Sequence, residues 1–146
     1  MQAKLSESLA LVATLDPVTV VNVEVFTDVV DMGAVLQALA IAMLGNLAAE
    51  TVDFKAYSCD SDGSNAAAIT GRAATQLAAH ASNNDNKQLI INIRDTDLLA
   101  SGKQHVKFGL VSGNTVGGPA SVVVVGAPRQ GIGSANDLAS VVEIVG

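Results

Sequence analysis

The chain has 146 residues, 49% apolar, 3% aromatic with no Trp, and 15% charged, with a formal net charge of −6 and a pI near 4.6. That length accommodates one domain with its own core, and the acidic balance argues against nucleic acid as the main partner, since phosphate binding needs a basic face. With few aromatics the core must be built from Val, Ile, Leu and Ala, which suits thin, closely packed sheets, and the low charged fraction implies a largely neutral surface, as in a protein that works inside an assembly.

Residues 1–15 carry Leu5, Leu9 and Val12 at helical spacing and read as an N-terminal arm with one or two helical turns, ahead of a single domain spanning 16–146. The start makes a poor secretory leader: Lys4 is followed by Glu7, the apolar run 9–15 is short, and Asp16-Pro17 ends it. Pro17 opens a strand over 18–26 with Val21, Val23 and Val25 on one face, and 29–32 continues as a second short strand. Up to Asp53 the only basic residue is Lys4, against Glu7, Asp16, Glu24, Asp28, Asp31, Glu50 and Asp53.

The segment 33–49 supports two periods. Met32, Leu36, Leu39, Met43 and Leu47 lie at helical spacing, and Ala, Leu and Met are strong helix formers. With a period of two, Val35, Leu39, Ile41 and Met43 form one face and Leu36 and Leu44 the other. The surrounding strands decide for β, because a lone central helix has no place in a sandwich, and a strand is expected over 35–44. Its longest apolar stretch is too short to span a bilayer and carries Gln37, so no membrane role is expected.

In 51–58, Val52, Phe54 and Ala56 face in, while Asp53, Lys55 and Tyr57 face out. Cys59-Asp-Ser-Asp-Gly63 is a tight-turn sequence with Gly at positive φ. Residues 65–81 are Ala-rich and fit an irregular strand or a short helix; 82–86 is a loop. In 87–94, Leu89, Ile91 and Ile93 oppose Gln88, Asn92 and Arg94; in 104–111, Val106, Phe108 and Leu110 oppose His105 and Lys107. Residues 121–126 are apolar on both faces, as in an interior strand. Between them, 95–102 reads as one capped turn carrying the chain from sheet to sheet, and 114–119 as a Gly-rich loop. The breaks are too short for crossover helices, so the pairing is antiparallel. Residues 129–137 read as loop and 138–145 as a last strand or tail. The expected fold is all-β: an antiparallel β-sandwich, jelly-roll-like, of about seven or eight strands with a short N-terminal arm.

No catalytic, cofactor or metal site emerges. Asp60-Ser-Asp-Gly63 invites a calcium reading, but aligned on that Gly the twelfth loop position is Ile69, where a bidentate Glu is required, and a turn is the simpler account. Cys59 as nucleophile with His80 or His105 as base lacks an activating motif; a structural Cys and solvated His are the expectation. Two His and one Cys do not make a usual zinc site without carboxylate help. Gly131-Ile-Gly133 has no strand before it and no third Gly in register, so it is not a nucleotide fingerprint.

The succession Val52-Asp-Phe-Lys-Ala-Tyr57, Asp60-Ser-Asp-Gly63, Asn86-Lys-Gln-Leu-Ile-Ile-Asn-Ile93, His105-Val-Lys-Phe-Gly-Leu-Val111 and Gly118-Pro-Ala-Ser-Val-Val-Val-Val125 resembles the small β-sandwich capsid decoration, or cement, proteins of tailed bacteriophages. The resemblance covers roughly residues 18–130 and lies in strand order and character. It implies a structural virion protein on the outer capsid surface, not an enzyme, with no cofactor, that staples neighbouring major capsid proteins and forms a dimer or trimer. Leu5, Leu9 and Val12 are the expected interface residues, apolar and ahead of the first clear strand. The alternatives are another particle component, such as a head–tail connector, tail or fibre module, and a carbohydrate-binding or adhesin-like sandwich; one Tyr and no Trp count against the last.

Overall fold

The computed structural model describes residues 4–47, 51–74, 85–113, 116–130, 137, 139 and 141–145. Among these the strands are β1 (Ala10–Val20), β2 (Val25–Phe26), β3 (Val30–Asp31), β4 (Val35–Leu44), β5 (Val52–Cys59), β6 (Ala67–Ala73), β7 (Gln88–Arg94), β8 (His105–Ser112) and β9 (Gly118–Pro128). They form two antiparallel sheets. The first has the order β1-β9-β4-β7; the second has the order β2-β8-β5-β6, with β3 also paired to β8.

β2 and β3 are two pieces of one edge strand. Phe26 pairs with Gly109 and Val30 with Val106, and between them the Thr27 N–H donates to the Phe108 carbonyl while Thr27 Oγ1 accepts from the Phe108 N–H. Counted as one, they leave eight strands. Every connection except β5 to β6 then crosses from one sheet to the other, which is the winding of a jelly roll.

Alternation builds the core. Val52, Phe54 and Ala56 of β5 and Val106, Phe108 and Leu110 of β8 are all buried, as expected, and the Phe54 and Phe108 rings lie 6.1 Å apart. Ile91 and Ile93 of β7 are buried and Leu89 packs against them as part of the same core. Beside β7 in the first sheet, the layer that faces β5 and β8 is built from small side chains: Ala10 and Ala13 of β1, Ala38, Ala40 and Ala42 of β4, and Val122, Val124 and Gly126 of β9. A Cβ on Gly126 would stand 2.9 Å from Val35 Cγ1 and 3.1 Å from Val12 Cγ1, so that layer has no room for more. Small side chains on β1, β4 and β9 opposite the two Phe rings of β5 and β8 keep the centre of the sandwich thin.

The strand over 35–44 is present, but Val35 does not share a face with Leu39, Ile41 and Met43. A bulge between Val35 and Gln37 shifts the alternation, so Ala38, Ala40, Ala42 and Leu44 turn inward while Leu39, Ile41 and Met43 turn outward. The arm is shorter than expected. Leu5–Glu7 makes one 3₁₀ turn, and β1 begins at Ala10, inside the segment 1–15. Two bulges, at Leu11/Ala13 and Leu15/Val18, break the period of two in β1; the second accommodates Asp16-Pro17, where a proline in a strand belongs. The continuous strand expected over 18–26 is interrupted: Asn22 adopts φ 50° and its N–H reaches the Ser112 and Gly113 carbonyls, leaving Val21 and Val23 exposed.

Asp95–Leu98 is a 3₁₀ turn joining the two sheets as expected, and β6 realises the irregular-strand alternative, with a register shift between Lys55 and Tyr57 on its partner. The expectations for 75–84, including His80, for 114–115 and for 131–136 lie outside the described residues. Residues 141–145 form no strand. No helix of the described residues is long and apolar enough to cross a membrane.

Candidate functional site

Cys59 and His105 face each other in register across β5 and β8. Parity with Tyr57 and Lys107 puts both on the outward face of the second sheet, yet Cys59 is fully buried and His105 half-buried. Burial is the main influence on the Cys59 thiol and pushes it up, against the pull of Lys107 and Lys103, so the thiol stays protonated near neutral pH. The nucleophile is the thiolate, which this setting disfavours.

Asp60–Gly63 is the tight turn its sequence implies. The Gly63 N–H donates to the Asp60 carbonyl at 2.9 Å, and Gly63 has φ 79°. Its carboxylates are engaged locally: Asp62 accepts from the Ser64 N–H at 2.8 Å, and Asp60 accepts from the Asn65 amide at 2.6 Å and pairs with Lys103 at 3.0 Å. Among the described residues no group of three or more His, Cys, Asp or Glu is placed to hold a metal.

The outward face of the second sheet is polar and tightly cross-linked. Phe26 covers Gly109, where a Cβ would come within 2.9 Å of the ring and clash with the Glu24 carboxylate. The Phe26 ring meets Tyr57 edge-on at 5.5 Å, and Lys107 Nζ stands 4.0 Å above the Phe26 centroid while donating to the Gly63 carbonyl. The Tyr57 hydroxyl donates to Glu24 at 2.8 Å. Burial first and the Glu24 bond second push the Tyr57 phenol up to about 12. Asp53 and Lys55 share this face.

The first sheet presents a different outer surface. Register places Leu11, Val125, Leu39 and Asn92 in one row across the four strands and Thr14, Val123, Ile41 and Ile90 in the next. A third row runs Ser121, Met43, Gln88. None of these eleven residues is charged. Ile90 is 57% exposed and Met43 43%; Leu36, at the bulge, is 50% exposed. A protein whose outer sheet face meets only water alternates apolar in with polar out, and this face does not.

Beside β1 the apolar surface deepens into a groove of about 290 Å³ lined by Leu5, Leu9, Leu11, Val125, Val141 and Ile144. Of the expected interface residues, Leu5 and Leu9 therefore stand on one surface, both exposed. Val12 does not join them. It points into the core at 8% exposure, because 10–12 is strand rather than helix and Val12 shares the inward parity of Ala10. The outward face was missed in the sequence because only the bulge in β4 decides which apolar set faces out.

No protein-family model matches the chain, and no curated protein does. Among solved structures it is similar to the crystal structure of the SPBc2 prophage-derived protein YomS, at 14% identity over 86% of this chain and 97% of that chain, with a TM-score of 0.50. The structure of infectious bursal disease virus Gx strain matches at 12% identity over 89% of this chain and 32% of that chain, with a TM-score of 0.36. The likeness to the prophage-derived protein is one of fold and extends over most of both chains.

Proposed function

We propose that this chain is a structural component of a phage particle: a decoration protein that binds the outer surface of an assembled capsid as a small homo-oligomer and braces contacts between major capsid proteins. The observation that carries this reading is the outer face of the first sheet, whose three central rows are uncharged and mostly apolar, together with the apolar groove beside it. A surface of that character marks a place of contact rather than a place of chemistry. The fold is consistent with such a setting, since jelly rolls serve in viral shells and the fold is shared with a prophage-derived protein. A decoration protein gains firm attachment from many modest contacts repeated over the shell, which a rigid sandwich with an apolar face supplies.

The test is the protein composition of purified particles of the phage that encodes the chain. A band of this mass at a copy number comparable with the major capsid protein, accessible to antibody on intact heads, is the expected result. A few copies confined to the tail would assign the chain to a connector, tail or fibre instead. Absence from particles would overturn a virion role.

A further inference from the structure

The apolar face has a shape as well as a composition. On its β7 side Ile90 is well exposed, as Met43 is on β4; its β1 side is hollowed by the groove lined with Leu5, Leu9, Leu11 and Val125. β1 and β7 are the two edges of the same four-stranded sheet. A two-fold axis in the plane of contact and running along the strands lays the β7 side of one copy over the β1 side of another, and the reverse. At its height along the strands Ile90 falls over Thr14 of β1, one row from Leu11 and the near end of the groove, and the contact occurs twice.

Charge selects the same occupant. Each copy carries −6, so copies repel one another over most of their surface. The three central rows of this face carry no charge, Arg94 lying one row beyond Asn92, and a second copy brings the same uncharged rows to meet them. Like-charge contacts, which would cost several kcal/mol elsewhere, do not arise here. Four strands at about 4.8 Å spacing and six residues at about 3.3 Å rise make a mostly apolar face of about 400 Å² in projection, the size of the largest patch on a typical monomer, which is often functional. The groove walls extend it toward the roughly 800 Å² that each partner gives to a standard interface.

We propose that two copies of this chain pack face to face through the outer surface of the β1-β9-β4-β7 sheet, with Ile90 of each copy seated over Thr14 of the other, beside the Leu11–Val125 end of its groove. The inference rests on the homo-oligomer of the proposed function and names its surface. The contact is isologous, with residue i touching j and j touching i, and it joins two sandwiches through aligned sheets.

Sedimentation equilibrium of the full chain tests it directly. The native protein should be a dimer, and Ile90→Glu, at an exposed position where a charge leaves the fold intact by circular dichroism, should raise the dimer dissociation constant roughly thirtyfold or more, because the two-fold axis introduces the charge twice. Lys55→Glu, on the opposite face, should leave it unchanged. A second measurement fixes the geometry: Ile90→Cys combined with Leu11→Cys or Thr14→Cys should give a covalent dimer under mild oxidation. Within one copy β9 and β4 separate those strands by about 14 Å, beyond the ~7 Å a disulfide spans, so any such bond joins two copies. A monomer at all concentrations, a dimer indifferent to Ile90→Glu, or the absence of either cross-link would overturn the proposal. A monomer that still coats particles would overturn it while leaving the decoration reading intact; a dimer through this face that never binds particles would do the reverse.

Discussion

Phe108 touches every argument about the core at once. It is fully buried on the interior strand β8, tilted against Phe54, and faced by a layer of Ala and Val that cannot expand to fill a void. Phe108→Ala should therefore cost roughly 3–5 kcal/mol, read as a lower midpoint with unchanged slope in urea denaturation. A loss below ~1 kcal/mol would mean the small-residue layer collapses into the gap. The inward direction of Phe108 was legible from alternation alone, because β5, β7 and β8 carry unbroken periods of two over their inward residues. Cys59 shows where that legibility stops. Its parity says outward, yet it is buried beneath its surroundings, with Lys103, Lys107, Asp60 and Asp62 close enough to act on its thiol. Long-range covering of this kind leaves no local pattern.

Among the elements, β4 was recognised through its neighbours rather than its own period, and only the bulge after Val35 gives Leu39, Ile41 and Met43 to the outer face. Residues 10–15 of β1 read as part of an arm because Leu5, Leu9 and Val12 fall at helical spacing, while two bulges erase the alternation of the strand. The practical consequence is a boundary. Deleting residues 2–9 stops short of β1 and should leave the domain folded while weakening the oligomer, since Leu5 and Leu9 leave the groove. Deleting 2–12 also removes Ala10 and Val12 from the core, and the burial of Val12 alone contributes about 2 kcal/mol, so this longer truncation should melt at a clearly lower temperature. Equal melting temperatures for the two would refute the placement of β1.

The turn between β7 and β8 makes a second element-scale prediction. Arg72 of β6 holds Asp97 at 2.6 Å, and Arg129 after β9 holds Asp95 at 2.5 Å. Each guanidinium bond keeps its carboxyl below the ordinary value of 3.8. A carboxyl whose folded pKa is depressed stabilises the fold above its unfolded pKa and loses that contribution as pH falls through the folded value. The melting temperature should therefore be flat near neutrality and fall below about pH 4. Arg72→Ala combined with Arg129→Ala should lower it at neutral pH and flatten the acid fall; an unchanged acid profile would show these pairs to be inert.

At the scale of the whole molecule, the sandwich has two unlike outer faces, one mostly apolar and uncharged in its central rows with Arg94 beyond them, the other carrying Glu24, Asp53, Lys55 and Lys107. The low charged fraction, 15%, foretold neutral surface without saying where it lies. That placement follows from register, which no single strand encodes. If a second copy covers the apolar face, the dimer carries twice −6, or −12, and meets a capsid through its charged faces and the ends of the sandwich. The two contacts then respond oppositely to salt. Screening shortens from about 10 Å at 0.1 M to about 3 Å at 1 M, which weakens exposed charge pairs but not apolar burial. Raising sodium chloride over that range should release the protein from pelleted particles while its dimer persists in sedimentation velocity. Salt-resistant attachment to particles, with a dimer that falls apart, would mean that the apolar face is spent on the capsid and the copies meet elsewhere.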